Sequence, residues 1–350
     1  MRSHKSVRLM FASFIAAFLL SALVTSAAPT VEVVMRGLDN PRGLAFGPEG
    51  GLYVVEAGRG GTGPCQTLRG MLQCYGATGA VTRLWGGKQE RVVTDLPSQV
   101  DPAGQSVGAQ DISFQGRGGA YITVGFGGNP ALRGNFGPDG SLFGSLVHAP
   151  ASGKWKVIAD VSAHETRSNP AGGPIDSNPF GVVAEPGGRV VTDAGGNDLL
   201  RIAANGAIST LAVFPRTARN LDSVPTGLTV GPDGNYYVGE LTGAPFHAGD
   251  ARIYRVVPGS APAIILTGFK AVLDVSFGPD GSLYVVEFAG GATGLGLPGR
   301  LIRVLPDLTR EVVLDGLDHP TSVIVDDDGT IYVTNRGVSI GNGEVLKIQP

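Results

Sequence analysis

The feature that most restricts the fold of this chain is a phrase repeated six times. The copies are Pro41-RGLAFGPEGGLYVVE, Gln110-DISFQGRGGAYITV, Pro179-FGVVAEPGGRVVTD, Pro225-TGLTVGPDGNYYVGE, Val272-LDVSFGPDGSLYVVE and Pro320-TSVIVDDDGTIYVTN. Each is an apolar run, a glycine-bearing turn, then a run of β-branched and aromatic residues, which is the pattern of a hairpin. Further strand-like runs follow each copy, such as Arg252-IYRVV and Ala263-IILTGF in the fourth unit. No segment reads as a convincing helix. Four antiparallel strands in each of six repeated units predict an all-β six-bladed β-propeller. The last unit stops after its third strand, Glu344-VLKI, and Val31-EVVMRGL has the pattern of the fourth-strand run Glu311-VVLDGL. The N-terminal strand, 31–38, is therefore expected to complete the last blade, closing the ring and removing two free sheet edges.

Composition fits this. The 55 glycines and 24 prolines supply many turns, and 42% hydrophobic residues is too many for a disordered chain. A net charge of −3 with no Lys/Arg run gives nucleic acid or an anionic membrane nothing to hold electrostatically. At the start, Arg2, Lys5 and Arg8 precede an uncharged run from Leu9 to Val24, and Ser26-Ala27-Ala28 follows. This is the layout of a signal peptide cut after Ala27, and the run is too short to span a bilayer. Residues 1–27 are read as the signal and 28–350 as one propeller domain, secreted or periplasmic, with no membrane span after cleavage. In such a compartment Cys65 and Cys74 are expected to form one disulfide.

Gly188-RVVTDAGGNDLLRI is similar to the repeats of NHL propellers, and Gly37-LDNPRGLAFGPEGGLYVVEAGRGGTGPC resembles the ScyD/ScyE family of exported bacterial propellers. The likeness covers residues 29–350. It implies the fold and brings no catalytic residues with it, since propellers host binders and enzymes alike.

The turns joining first to second strands are uniformly short, whereas the long insertions, 57–79, 125–144, 162–178, 215–224, 241–250, 288–299 and 336–343, fall on the opposite face. Length variation confined to one face marks a binding face. The second strands end there in a pseudo-sixfold ring of Glu56, Val124, Asp193, Glu240, Glu287 and Asn335. Arg42, Asp111, Phe180, Thr226, Asp274 and Thr321 stand near the channel mouth on the first strands. The expected ligand-binding set is Arg42, Glu56, Asp111, Asp193, Glu240, Asp274, Glu287 and Asn335. Clustered carboxylates need a compensating cation. Either Arg42, Arg59 and Arg336 supply it, or Glu56, Asp193, Glu240 and Glu287 hold a hard metal ion such as Ca²⁺. The competing structural reading has each acid bonding backbone N–H groups of the neighbouring loop.

Other chemistry is thinly represented. There is no G-x-S-x-G elbow and no contiguous Ca²⁺ loop, and the glycine-rich pieces precede no helix. Of the histidines, His247 and His319 reach the loop face. The leading expectation is an exported recognition or scaffold propeller that binds a small molecule, glycan or protein on that face. The alternative is a metal-dependent lactonase-like hydrolase or a quinoprotein-type sugar dehydrogenase using the same face.

Overall fold

The computed structural model describes residues 29–296 and 298–349, so residues 1–27, read from the sequence as a signal, lie outside them. Six antiparallel sheets follow the six repeats. Blade two is representative, with strands Ala109–Phe114, Ala120–Val124, Ser145–Ala149 and Lys156–Asp160 in order from the channel outward. The innermost strands touch in sequence from blade to blade, and that of blade six meets that of blade one. The fold is a closed six-bladed β-propeller.

Thr30–Leu38 is the outer strand of blade six, paired from Thr30↔Gln349 to Leu38↔Gly343 with Gly343–Gln349. The hydrophobic core lies between the blades. Second strands such as Leu52–Glu56 and Leu283–Glu287 are buried along their whole length, because each is covered by a sheet on both sides. Outer strands such as Ala263–Phe269 bury only part of their side chains.

The innermost strand of five blades carries a register shift near its third residue, for example between Pro41 and Leu44 and between Val272 and Asp274. Bulges of this kind re-aim side chains. Here the shifted positions Gly43, Asp111, Gly181, Gly227 and Asp274, with Ser322 of blade six, build a belt around the channel. The Asp111 carboxylate accepts from Ile112 N and, in the next blade, from Val182 N, both at 2.8 Å. Asp274 does the same with Val275 N at 2.9 Å and Val323 N at 3.0 Å, and it also takes Ser322 Oγ at 2.6 Å. Each aspartate leans on a glycine of the preceding blade. A Cβ at Gly43 would strike Asp111, and one at Gly227 would strike the backbone of Asp274. Gly227→Ala is accordingly expected to cost about 3 kcal/mol, since backbone cannot yield cheaply. A melting temperature within a degree of wild type would contradict that packing.

Three departures from the sequence reading all lie on the loop-rich face. Val161–Ser168 is an α-helix, capped by Asp160, which accepts from Ala163 N at 2.8 Å. Part of 125–144 forms 3₁₀ turns at Pro130–Phe136 and Pro138–Leu142. In blade one, Met71–Trp85 and Lys88–Val100 continue beyond the blade, and Cys65–Leu68 pairs with the first of them. The expected disulfide, Cys65–Cys74, joins two residues directly opposite each other in that pairing. Among the described residues no helix is long and apolar enough to cross a membrane.

Candidate functional site

The second-strand ends occupy equivalent places, facing the first residue of their own inner strand, as in Pro41↔Glu56, Pro179↔Asp193, Pro225↔Glu240 and Val272↔Glu287. Their side chains are buried, and each is engaged within its own blade. Glu56 accepts from Asp39 N at 2.7 Å, Thr82 Oγ1 at 2.5 Å, and Arg91 through Nε at 3.0 Å and Nη2 at 2.7 Å. Glu287 accepts from Lys270 N at 2.8 Å and Arg300 Nε at 2.7 Å. Glu240 takes the backbone N, Nε and Nη2 of Arg252 at 3.0, 2.7 and 2.5 Å. Asn335 accepts from Asp318 N at 2.9 Å and donates to Glu344. At Glu56, Glu287 and Asn335 the loop entering the blade's own inner strand is thus hung on the ring residue.

These carboxylates do not converge. Among the described residues no three acidic, His or Cys side chains gather as a metal site. Glu56, Glu240 and Glu287 have spent their lone pairs on arginine and backbone N–H, so this donor set does not fit a Ca²⁺ ion, which takes six to eight oxygens. The compensating arginines also differ from those expected. Arg91, Arg252 and Arg300 pair with the ring, whereas Arg59 and Arg336 approach Asp39 at 3.7 Å and Glu344 at 3.6 Å. Arg42 is buried on backbone carbonyls of Pro41, Ser106 and Gly337, and burial pulls its pKa down to about 10. His319 bonds Asp318 Oδ1 at 2.7 Å and Leu295 O at 3.1 Å.

Removing one ring partner should therefore be costly. Arg252→Ala leaves Glu240 buried and unpaired, with an expected loss of about 3–5 kcal/mol. Adding Glu240→Gln should recover much of that loss in a double-mutant cycle. Independent, additive losses would show that the pair is not coupled.

Asp111 and Asp274 line a channel void of about 10 Å³, room for roughly one water. Burial and the charge of Asp274 hold the Asp111 carboxyl well above its ordinary range, and burial pushes Asp274 up to about 6. The two aspartates join blades at a constriction too small for any organic ligand.

Space for one exists on the loop-rich face beside blade three. A cavity of about 300 Å³ opens among Arg69, Glu165, Asn169, Asp176, Gly196 and Arg216, drawn from the 57–79, 162–178 and 215–224 loops. Its rim carries two ion pairs, Arg69–Asp176 at 2.7 Å and Arg216–Asp222 at 3.0 Å. Its floor is acidic. Asp193 accepts from Ser177 Oγ at 2.7 Å, Asn178 N at 2.6 Å, and Gly195 N and Gly196 N at 3.1 Å. Asp198, across the strand pair from Asp193, is 1% exposed, and neither carboxyl oxygen has a hydrogen-bond partner. Glu165 projects from the helix to the same place; a Cβ built on Gly196 would lie 3.2 Å from its Oε2 and 3.3 Å from Asp193 Cγ. Burial, with Asp193 and Asp176 nearby, raises the Glu165 carboxyl to about 7. Burial raises Asp193 to about 6 and lifts Asp198 well above its ordinary range, Asp193 and Glu165 adding to the latter.

Two larger cavities, of about 430 and 520 Å³, open on the short-turn face between blades one and two and between four and five. They are mainly apolar grooves beside Trp85 and Leu308, and polar groups do not converge in them as they do beside blade three. None of the residues expected from sequence lines the polar cavity; Asp193 lies directly behind its lining residue Gly196, and Glu165, which does line it, was missed along with Asp198.

No family model matches the chain, and no curated protein matches it in sequence. Solved structures do match in shape. A protein assigned as a gluconolactonase superposes with a TM-score of 0.53 at 13% identity, over 93% of each chain. A glucose dehydrogenase gives 0.57 at 15% identity, covering 92% of this chain and 99% of its own. Regucalcin from Agrobacterium tumefaciens, a calcium-binding protein, gives 0.54 at 13% identity, over 92% and 94%. At such identities the likeness shows a shared propeller fold. The resemblance to the ScyD/ScyE family remains a likeness of motifs.

Proposed function

We propose that this chain is an exported recognition propeller that binds a small polar molecule in the cavity beside blade three. The observation that carries the reading is the coincidence of a ligand-sized space with convergent polar groups on the face that bears the long loops. Export is supported by the Cys65–Cys74 disulfide, a bond seldom kept in reducing compartments. Arg69, Asn169, Asn178 and Arg216 supply hydrogen-bond donors, while Glu165, Asp176 and Asp222 accept.

A second reading has one observation in its favour. A carboxyl held near pH 7, as at Glu165, is matched to proton transfer, so the cavity could serve a hydrolase or a sugar dehydrogenase. The lactonase and glucose dehydrogenase folds among the structural neighbours are compatible with that use.

The test is a thermal-shift screen of sugars, sugar acids, lactones and small amines, with lactone-hydrolysis and dye-linked oxidation assays on whatever binds. A true ligand raises the melting temperature with concentration. The shift should vanish in Arg216→Ala and Glu165→Gln. A ligand that shifts both variants as it does wild type binds elsewhere, and the cavity assignment then falls.

A further inference from the structure

In blades four and five the ring acid and the third-strand residue facing it form a matched pair. Glu240 has Arg252 and Glu287 has Arg300 in that place. Blade three breaks the pattern: the partner of Asp193 is another acid, Asp198. Like charges directly opposed across a strand pair are destabilising, and a buried carboxylate without a hydrogen bond is more costly still. The helix adds Glu165, for whose carboxyl no hydrogen bond is formed with any described residue, and no basic side chain replaces the missing arginine. Arg69 and Arg216 are engaged at the rim with Asp176 and Asp222.

We propose that the ligand of this cavity carries an ammonium group, which takes the place the arginine holds in blades four and five and neutralises Glu165, Asp193 and Asp198. This rests on the cavity being the binding site and narrows the ligand to a small amine. Two observations point the same way: Glu165, 2% exposed and without a hydrogen bond, lines the cavity, and behind it buried Asp198 has two orphaned oxygens. A directly bound metal ion fits less well, because the three carboxylates do not gather around one point. An ammonium demands fewer acceptors, since one N–H bond to Glu165 sets its charge beside the acids, whereas a Ca²⁺ ion takes six to eight oxygens.

Without ligand the floor relieves its charge by holding protons, and an ammonium expels them. Binding should therefore strengthen as pH rises. The groups around Glu165 are Asp193 and Asp198 from the strands, Asp176 and Arg69 from the loops, Arg216 and Asp222 across the cavity, and His164 and Arg167 on its own helix. Glu165 itself, which lines the cavity, is held to about 7. Release of one proton there gives a gain in affinity of roughly tenfold between pH 6 and pH 8.

The experiment compares matched probes by thermal shift and calorimetry: putrescine against butane-1,4-diol, and glucosamine against glucose, with CaCl₂ as a third arm. The expected result is that amines raise the melting temperature, that diol and glucose do so far less, and that putrescine affinity climbs with pH as stated. Glu165→Gln should erase the pH dependence, and Asp198→Asn should remove most of the amine preference. Asp198→Arg, which restores the pairing of blades four and five, should stabilise the free protein and block amines. Equal shifts from the neutral partners would overturn the ammonium while leaving the cavity as a binding site. A response to Ca²⁺ without one to amines would overturn it in favour of a metal. No amine response, with Asp198→Asn stabilising the protein at high pH, would show that protons alone fill the floor.

Discussion

A chain lacking residues 29–38 is expected to lose the propeller altogether rather than to fold as a slightly weaker one. Thr30–Leu38 is paired along its length with Gly343–Gln349, and it buries Met35 and Leu38 to 1% exposure against blade one. Loss of two such side chains costs about 2–5 kcal/mol each, before the abandoned ladder hydrogen bonds are counted. Domains commonly have only about 5–15 kcal/mol of stability in all. The deletion also bares the edge of Gly343–Gln349, which invites pairing between chains. Circular dichroism melting with size-exclusion chromatography decides it: the expected product is aggregated or broadly melting, and a monomer melting within a few degrees of wild type would refute ring closure by this strand. Adding the missing segment back as a peptide should restore cooperative melting in part.

The protein should be most stable in mild acid and should weaken toward alkaline pH. Six buried carboxyls carry this effect, one of them Glu240, raised by burial against the pull of Arg252. Asp193 and Asp274 are lifted to about 6, Glu165 to about 7, and Asp111 and Asp198 well above their ordinary range, burial being the first cause in each. In the unfolded chain these groups titrate near 4. A group whose folded pKa is raised holds its proton more tightly when folded, so its contribution is complete below about pH 4 and is lost as pH rises through 6 to 7. Surface acids act in the opposite direction but at lower pH. Partial burial pushes Asp233 and Asp280 upward, yet hydrogen bonds from Asn235 to the first and from Arg303 to the second hold both at about 2. Their stabilisation fades only below pH 4. A melting series from pH 5 to pH 8 should show a fall of at least about 5 °C, as a loss of a few kcal/mol implies. A profile flat or rising over that interval would show these carboxyls ionised without penalty. Asp198→Asn should flatten part of the slope and leave the share that belongs to Asp111 and Asp274.

The propeller was legible because each blade repeats one sentence of strand and turn, so a weak local signal was read six times. The closing strand was legible for the same reason, as the only copy displaced to the other end of the chain. Irregular parts had no second copy to support them. The helix Val161–Ser168 is two turns long and mostly polar, so neither length nor periodicity announced it. The Cys65–Leu68 hairpin turns through Arg69 and Gly70, both at positive φ. Arginine stands where such a turn usually has asparagine or aspartate, and the turn signal was lost. The ring acids were correctly placed on one face, but their partners lie on strands whose side-chain directions depend on register. Asp198 was nevertheless within reach. Aligning the third strands one residue earlier sets Asp198 beside Arg252 and Arg300 and shows an acid facing an acidic ring residue; Glu344 holds the same place in blade six but faces Asn335. Glu165 had no such route, because it enters the site from an insertion peculiar to one blade.

Closure by the N-terminal strand has a consequence for the order of folding. Thr30 and Gln349, neighbours in blade six, are separated by 319 residues in sequence. A ribosome delivers the first of these strands at the outset and its partner only with the final residues. Until that partner emerges the early strand can find no native mate, and its edge stays open. Contacts of such long sequence separation slow the search, because the entropy of closing the loop is lost before any pairing repays it. Blades two to five can each assemble locally as they emerge, so the slowest event should be the docking of one short strand onto an almost finished ring.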